Sequence, residues 1–276
     1  MRRRLNAIPA LRRVLTWRPV ERLVALLNRS RVVEGARGRF LAREVLARGS
    51  VASYRVTGAG TPVLLRHGTP DVVTLDEVFL ARDYDLPGPV SQALAGLDRG
   101  PRVVDLGANA GYFGAFVLGR FPDAELVAVE PDPDNAELLR RAVAASGRAE
   151  RWRVVEACAA TREGTVRFLA GRHSLSRLAG EDEPGIEVAA VDAFEHLEGA
   201  DLAKVDIEGA EWPLLADPRL GRGSLRAIVV EYHPAGCPEP EPGPAARRLL
   251  ADAGFEVLDG SQRGDGYGVV WGWKPS

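Results

Sequence analysis

Cysteine is almost missing from this chain. Cys158 and Cys237 are the only two in 276 residues, too few for a disulfide framework and without the spacing of a metal site. A reducing cytoplasm is the expected setting. Lysine is as scarce, Lys204 and Lys274 standing alone among 36 basic residues. With abundant alanine and glycine, that bias matches a GC-rich bacterial genome, so arginine content alone says little about partners. No apolar run approaches the roughly 20 residues of a membrane span, and no integral membrane segment is expected. Arg12 and Arg13 interrupt any apolar core behind Met1, which argues against a secretory signal. Internal repeats are absent as well.

The charge that is present lies unevenly. The formal net charge is −2, yet residues 1–50 carry thirteen arginines against three glutamates, a local +10 that leaves −12 for the remainder. Leu11, Val14 and Leu15, then Val20, Leu23, Val24 and Leu27, recur at helical spacing with arginines on the other face. Residues 1–50 therefore read as a basic helical extension, packed on the main domain or on a twin subunit in a homodimer. Contact with an acidic membrane surface or an anionic carrier is the sharper alternative. Residues 51–100 read as a strand and helix cap region, with a helix through Val72 and Phe79 to about Tyr84 that Asp71 would cap. Residues 101–276 carry the alternating strands and helices of a Rossmann-like domain.

That domain is organised around Arg102 to Gly114, RVVDLGANAGYFG. Val103, Val104 and Leu106 are the apolar run of a buried parallel strand, and Gly107 begins a turn that runs straight into helix pattern. A strand, a glycine turn and a helix N-terminus make a nucleotide or nucleoside pocket. Gly107 and Gly111 are four apart, unlike the G-x-G-x-x-G of nicotinamide and flavin sites, and Asp105 precedes them. An acid beside the loop would repel a pyrophosphate and suits a ligand with positive charge and an amino group, as in S-adenosylmethionine. A second strand, Leu126 to Val129, delivers Glu130 about twenty residues past the loop, where a carboxylate can accept from both hydroxyls of a ribose.

Downstream, helix Asn135 to Ala145 and strand Trp152 to Val155 lead to a β insertion at Thr161 to Leu169, with Glu163-Gly164 as a hairpin turn. Residues 170–185, His173 among them, read as a mobile loop over the site. A fourth core strand delivers Lys204, Asp206, Glu208 and Glu211, and a fifth delivers Glu231 and His233, all to the rim where open parallel sheets bind ligands. Lys204 could simply neutralise Asp206, and Glu211 could stabilise the next helix's N-terminus. The clustering favours function. His233, restricted by Pro234 to extended backbone and neutral near its ordinary pKa of about 6.5, is the expected base. Asp206 stands next, with His173 and His67 behind. A divalent metal on Asp206, Glu208 or Glu211 is not expected, since no histidine stands at ligand spacing.

The blocks V-D-L-G-A-N-A-G-Y-F, V-E-P-D-P-D-N, K-V-D-I-E-G-A-E-W and E-Y-H together resemble the FkbM family of S-adenosylmethionine-dependent methyltransferases, over about residues 60 to 260. Arg66, Thr69, Asp71 and Tyr84 are similar to a stretch ahead of the glycine motif in many members. The resemblance implies a class I, Rossmann-like sheet, mostly parallel with an antiparallel last strand. It implies S-adenosylmethionine as cofactor and S-adenosylhomocysteine as product. Cofactor contacts are expected at Asp105, Gly107, Ala108, Asn109, Gly111, Tyr112 and Phe113 in the loop, and at Glu130, Pro131 and Asp132 after the second strand. Glu156, Ala157 and Asp206, with Arg66, Thr69 and Asp71, complete that set. Catalysis is expected from His233, Asp206, Glu208 and Lys204, on a hydroxyl of a sugar, polyketide or other natural product. N-methylation of a small molecule, or an inactive scaffold that only binds the cofactor, are the alternatives. Nucleic acid is a poor acceptor here: Asp206-Ile-Glu-Gly replaces the Asp/Asn-Pro-Pro-aromatic of base amino-methyltransferases, and Cys237 precedes its proline instead of following it.

Overall fold

A computed structural model describes residues 18–171, 177–178, 183 and 185–275. The described residues begin with α1 (Arg18–Arg29), a 3₁₀ turn at Ser30–Val32 and α2 (Arg37–Leu46). The antiparallel pair β1 (Val51–Tyr54) and β2 (Val63–Arg66) follows, then α3 (Asp71–Leu75), a π-helical turn at Asp76–Ala81, and α4 (Gly88–Ala95). Alternation proper runs from β3 (Arg102–Leu106) through α5 (Tyr112–Arg120), β4 (Glu125–Val129) and α6 (Pro133–Ser146) to β5 (Trp152–Val155). An insertion supplies β6 (Cys158–Ala160), β7 (Gly164–Leu169), β8 (Arg177–Leu178) and β9 (Ile186–Asp192). The chain closes with α7 (Ala193–Leu197), β10 (Leu202–Val205), α8 (Glu211–Ala216), α9 (Arg219–Arg222), β11 (Ala227–Tyr232), α10 (Pro242–Asp252), β12 (Glu256–Gln262) and β13 (Gly268–Trp273).

β10 and β11 are buried at every position, and β3 at all but its first, which is why they read as continuous apolar runs and pair in parallel. The main sheet has the order β5-β4-β3-β10-β11-β13-β12, with β13 antiparallel to both neighbours, as expected of the last strand. One apolar layer covers one face through α5 and α6, and the other layer comes from α7, α8 and α10. Val32, Val33 and Phe40 of the N-terminal segment are buried in the first of these layers, together with Val103 and Phe116. His67 is fully buried there, with Nε2 2.8 Å from the Tyr54 hydroxyl and Nδ1 2.9 Å from Glu44, so it ties α2 to β2.

The insertion forms its own sheet in the order β6-β9-β7-β8. Glu163-Gly164 is therefore not the turn of a hairpin. β6 and β7 each pair with β9, which lies between them, parallel to one and antiparallel to the other. A three-residue link can reach across one intervening strand, a span of roughly 10 Å, so the turn chemistry alone could not reveal the partner. Residues 177–178 pair with Phe168 and Leu169. Most of the loop expected at 170–185, His173 included, lies outside the described residues. Among the described residues no helix is long and apolar enough to cross a membrane.

Candidate active site

The parallel strands put the ends of β3, β4, β10 and β11 on one rim, and a cavity of about 370 Å3 opens there. Its first wall is the loop after β3. Gly107 has φ +79°, and a Cβ on it would come within 1.7 Å of the Asp206 carbonyl oxygen, so only glycine lets the loop pass the end of β10. Asn109 is also left-handed, at φ +50°, and its side chain accepts from Ala110 N at 2.7 Å. The loop is fastened to the next strand end, because Asn109 N donates to Glu130 Oε2 at 2.8 Å. Asp132 N and Asn135 Nδ2 donate to Glu130 Oε1 at 2.9 and 3.3 Å. Three donors use three of about four acceptor positions on a carboxylate, and the group still lines the cavity. Burial pushes the Glu130 carboxyl up to about 7 despite those donors.

The second wall is built by β10 and β11. Lys204 stands opposite Asp105 in the parallel register, and its ammonium lies 3.2 Å from Asp105 and 3.3 Å from Asp206 while donating to Gly107 O at 2.9 Å. Burial pulls the lysine down, but the two carboxylates outweigh it and hold its pKa raised. Asp105 is also raised, because burial of the acid is not fully offset by its partner. Beyond Asp206, Glu208 sits at φ +54° and turns its carboxyl toward the imidazole that follows β11. His233 Nε2 is 3.5 Å from Glu208 and 3.9 Å from Asp206. Its other side is anchored by Glu211, a fully buried carboxylate that accepts His233 N at 2.7 Å and lies 3.2 Å from Nδ1.

This environment corrects the expectation that His233 is neutral. Burial alone would lower it, but the hydrogen bond to Glu211 and the charges of Asp206, Glu211 and Glu208 push it up to about 9. The imidazole carries its proton at neutral pH. Glu208 moves the other way from an ordinary carboxylate, up to about 8, through burial and then the charge of Asp206. The spacing also corrects the absence of a histidine near the acids: one ligand atom each from Asp206, Glu208 and His233 lies within 4.8 Å of the others, close enough for one divalent ion.

Of the residues singled out in sequence, Gly107, Ala108, Asn109, Tyr112, Phe113 and Pro131 line the cavity, as do Glu130, Lys204, Asp206, Glu208 and His233. Asp105, Gly111 and Asp132 stand behind the wall. Asp105 faces Lys204, Gly111 opens α5, and Asp132 caps α6 and accepts from Gly171 N at 2.7 Å. Glu156 pairs with Arg140 on the surface and Ala157 is buried, while Cys158 and Ala159, just beyond, line the cavity instead. Arg66, Thr69 and Asp71 are a buried turn away from it. The sequence carried no signal for Glu77, Arg263, Asp265 or Tyr267, which also line it, and Asn135, which closes the second block of the resemblance but was given no role, lines it too. Arg263 and Tyr267 come from the β12–β13 connection: Arg263 reaches Glu77 at 2.7 Å and Glu231 at 3.4 Å, and the Tyr267 ring packs edge-on against His233 at 5.3 Å. Tyr84, known only from the resemblance, donates to Glu231 at 2.6 Å.

The sheet order, the glycine loop and an acid at the end of β4 define a class I, Rossmann-like methyltransferase. The chain belongs to the FkbM methyltransferase family: the family described as "Methyltransferase FkbM domain" matches residues 105–257. A curated relative, "Methyltransferase sdnD" of Sordaria araneosa, is 25% identical over 221 residues, covering 66% of this chain and 80% of that protein. Similar solved structures include a precorrin-6y C5,15-methyltransferase from Geobacter metallireducens (14% identity, 67% of this chain and 85% of that one, TM-score 0.41). Another is Aeropyrum pernix fibrillarin with natively bound S-adenosyl-L-methionine (16%, 66% and 73%, TM-score 0.38). S-adenosylmethionine is the cofactor. The lining fits it: a buried carboxylate at the end of β4 suits a ribose diol, and the Asp206 carboxylate at the rim suits a sulfonium or an ammonium.

Proposed function

We propose that the chain transfers a methyl group to a hydroxyl of a small molecule, with Glu130 holding the cofactor's ribose and the Asp206–Glu208–His233 rim receiving the acceptor. The observation that carries this reading is that one cavity joins the two: the glycine loop and Glu130 form one wall, and a proton-handling cluster forms the other. When bound, the cofactor supplies a methyl already activated on a sulfonium. What remains for the protein is to orient the acceptor, exclude water and take away the hydroxyl proton.

Glu208 is the group assigned to take that proton. A carboxylate raised to about 8 is a stronger base than an exposed one and is substantially ionised at mildly alkaline pH. His233, protonated and 3.5 Å away, holds the carboxylate in place and is itself oriented by Glu211. Lys204, committed to Asp105 and Asp206, fixes the end of β10 and is not free to act as a base. A sugar, polyketide or other natural product remains the acceptor class that the family resemblance favours.

The test is incubation with isotopically labelled S-adenosylmethionine and matched panels of hydroxyl and amine compounds, read by mass spectrometry. Methyl ethers among the hydroxyl panel support the reading. Products confined to amines would make this an N-methyltransferase, and cofactor binding without any transfer across both panels would favour a scaffold.

A further inference from the structure

We propose that Arg66 and Asp71, neither of which touches the cavity, are positioning residues for the cofactor site: they lock the side-chain amide of Asn135 so that its NH2 is presented to Glu130. The inference rests on the reading of Glu130 as the ribose-binding acid. It extends the site to a segment that lies ahead of the family match at residue 105.

The chain of contacts starts at Asp71, which is fully buried at the first position of α3. Its two oxygens take Arg66 Nε at 2.8 Å and Nη2 at 2.9 Å, and one of them also takes Arg66 N at 3.2 Å. A paired fork of this kind fixes the guanidinium plane as well as its place. Thr69 closes the turn, donating to Arg66 O at 2.8 Å and accepting from Asp71 N at 3.3 Å. Nη2 also donates to Asn135 Oδ1, across from β2 to α6. With its oxygen held there, the amide must turn its nitrogen the other way, and Nδ2 lies 3.3 Å from Glu130 Oε1.

The orientation of Asn135 is therefore set by chemistry at both ends. Flipped, its NH2 would face a guanidinium that has only donors, and its oxygen would face a carboxylate that has only acceptors. Both contacts would turn repulsive in a place too buried for water to relieve them. The Arg66–Asp71 pair is neutral as a unit, so it can hold Asn135 without adding net charge beside Glu130. Asn135 N is held as well, by the Asp132 carboxylate that caps α6 at 3.4 Å. The groups facing Glu130 are thus Asn135, the Asn109 and Asp132 amides, the Asp132 carboxylate and the Cys158 thiol, which burial and then Glu130 push up to about 12. The Asn135 NH2 is a donor that favours the ionised carboxylate, the form able to accept from a ribose.

The experiment measures S-adenosylhomocysteine affinity by calorimetry from pH 6 to 9, on the full chain and on variants whose folding is checked by thermal unfolding. Asn135→Asp keeps the shape and the contact to Arg66 but turns an oxygen toward Glu130. Affinity at pH 7.5 should fall at least tenfold, with the pH midpoint for tight binding moved upward. Arg66→Lys keeps the charge and loses the fork, so it should move affinity and midpoint the same way by a smaller step. In a Glu130→Gln background, Asn135→Asp should change affinity less than threefold, because no carboxylate is left to position. Wild-type affinity and midpoint in folded Asn135→Asp or Arg66→Lys would overturn the proposal. So would an undiminished loss in the Glu130→Gln background, which marks a merely structural role. Should Asn135→Asp fail to fold, Arg66→Lys alone decides by its midpoint. Glu130→Gln by itself tests the underlying reading: no loss there sinks Glu130 as ribose acid, whereas a loss there with none in Asn135→Asp sinks only the relay.

Discussion

Lys204→Met removes a buried ammonium from between two carboxylates, and the structure sets the size of the loss. Asp105 is 1% exposed and would be left as an uncompensated charge. Breaking a buried pair in this way costs about 3–5 kcal/mol. Asp206 has a side chain 23% exposed, so water recovers part of its share, while Gly107 O loses a donor worth about 1 kcal/mol. The expected total is about 4–6 kcal/mol, which for a domain of this size lowers Tm by roughly 8–24 °C. Urea unfolding at pH 7.5 measures it. The pH dependence carries the sign: a carboxyl whose folded pKa is raised destabilises the fold above its unfolded value. Without the lysine, Asp105 rises further, so the deficit should shrink as pH falls toward 4–5. Adding Asp105→Asn to Lys204→Met should recover stability relative to the single variant. A deficit under about 1 kcal/mol, or one indifferent to pH, would refute the view that this lysine neutralises the rim.

Three other outcomes follow from the same geometry. If Glu130 holds the ribose, its burial-raised carboxyl, up to about 7, loses acceptor capacity on protonation, so S-adenosylhomocysteine should bind up to about tenfold more weakly at pH 6 than at pH 8, and Glu130→Gln should abolish that slope. Glu208→Gln should lower turnover by roughly 10²-fold or more with cofactor affinity unchanged, and the wild-type rate should climb as pH rises toward and through 8; a rate that is flat or falling there would remove Glu208 as base. Phe40, 0% exposed in the layer that holds Val103 and Phe116, should cost about 3–5 kcal/mol when cut to alanine, measured by chemical denaturation; a loss below 1 kcal/mol would make residues before 50 dispensable to the core.

The legible parts of the fold were those where one physical demand dominates. β3, β10 and β11 are buried on both faces, so their apolar runs could be little else. Gly107, Asn109 and Gly111 announce a loop of left-handed residues, and Glu130 follows at the distance one helix and one strand require. What stayed hidden depends on contacts between distant segments. Glu211 looked like a helix-terminal acid, yet it reaches 22 residues ahead to hold His233. The ionisation of His233 is set by three carboxylates, and no local pattern near Pro234 reports that crowding. Arg263 and Tyr267 sit in a turn whose sequence, Arg-Gly-Asp-Gly-Tyr, reads as ordinary loop and closes over the cavity only because β13 pairs back against β11. Arg66 and Asp71 were flagged by resemblance, but their place behind Asn135 required the packing of β2 on α6.

The central claim is that one cavity holds the cofactor's ribose at Glu130 and the methyl donor against the Asp206–Glu208–His233 rim. A crystal structure with S-adenosylhomocysteine tests it most directly. The account predicts ribose hydroxyls within hydrogen-bonding distance of a Glu130 carboxylate oxygen and the thioether sulfur facing Asp206, Glu208 and His233. A nucleoside bound away from Glu130, or a sulfur turned from that rim, would contradict it.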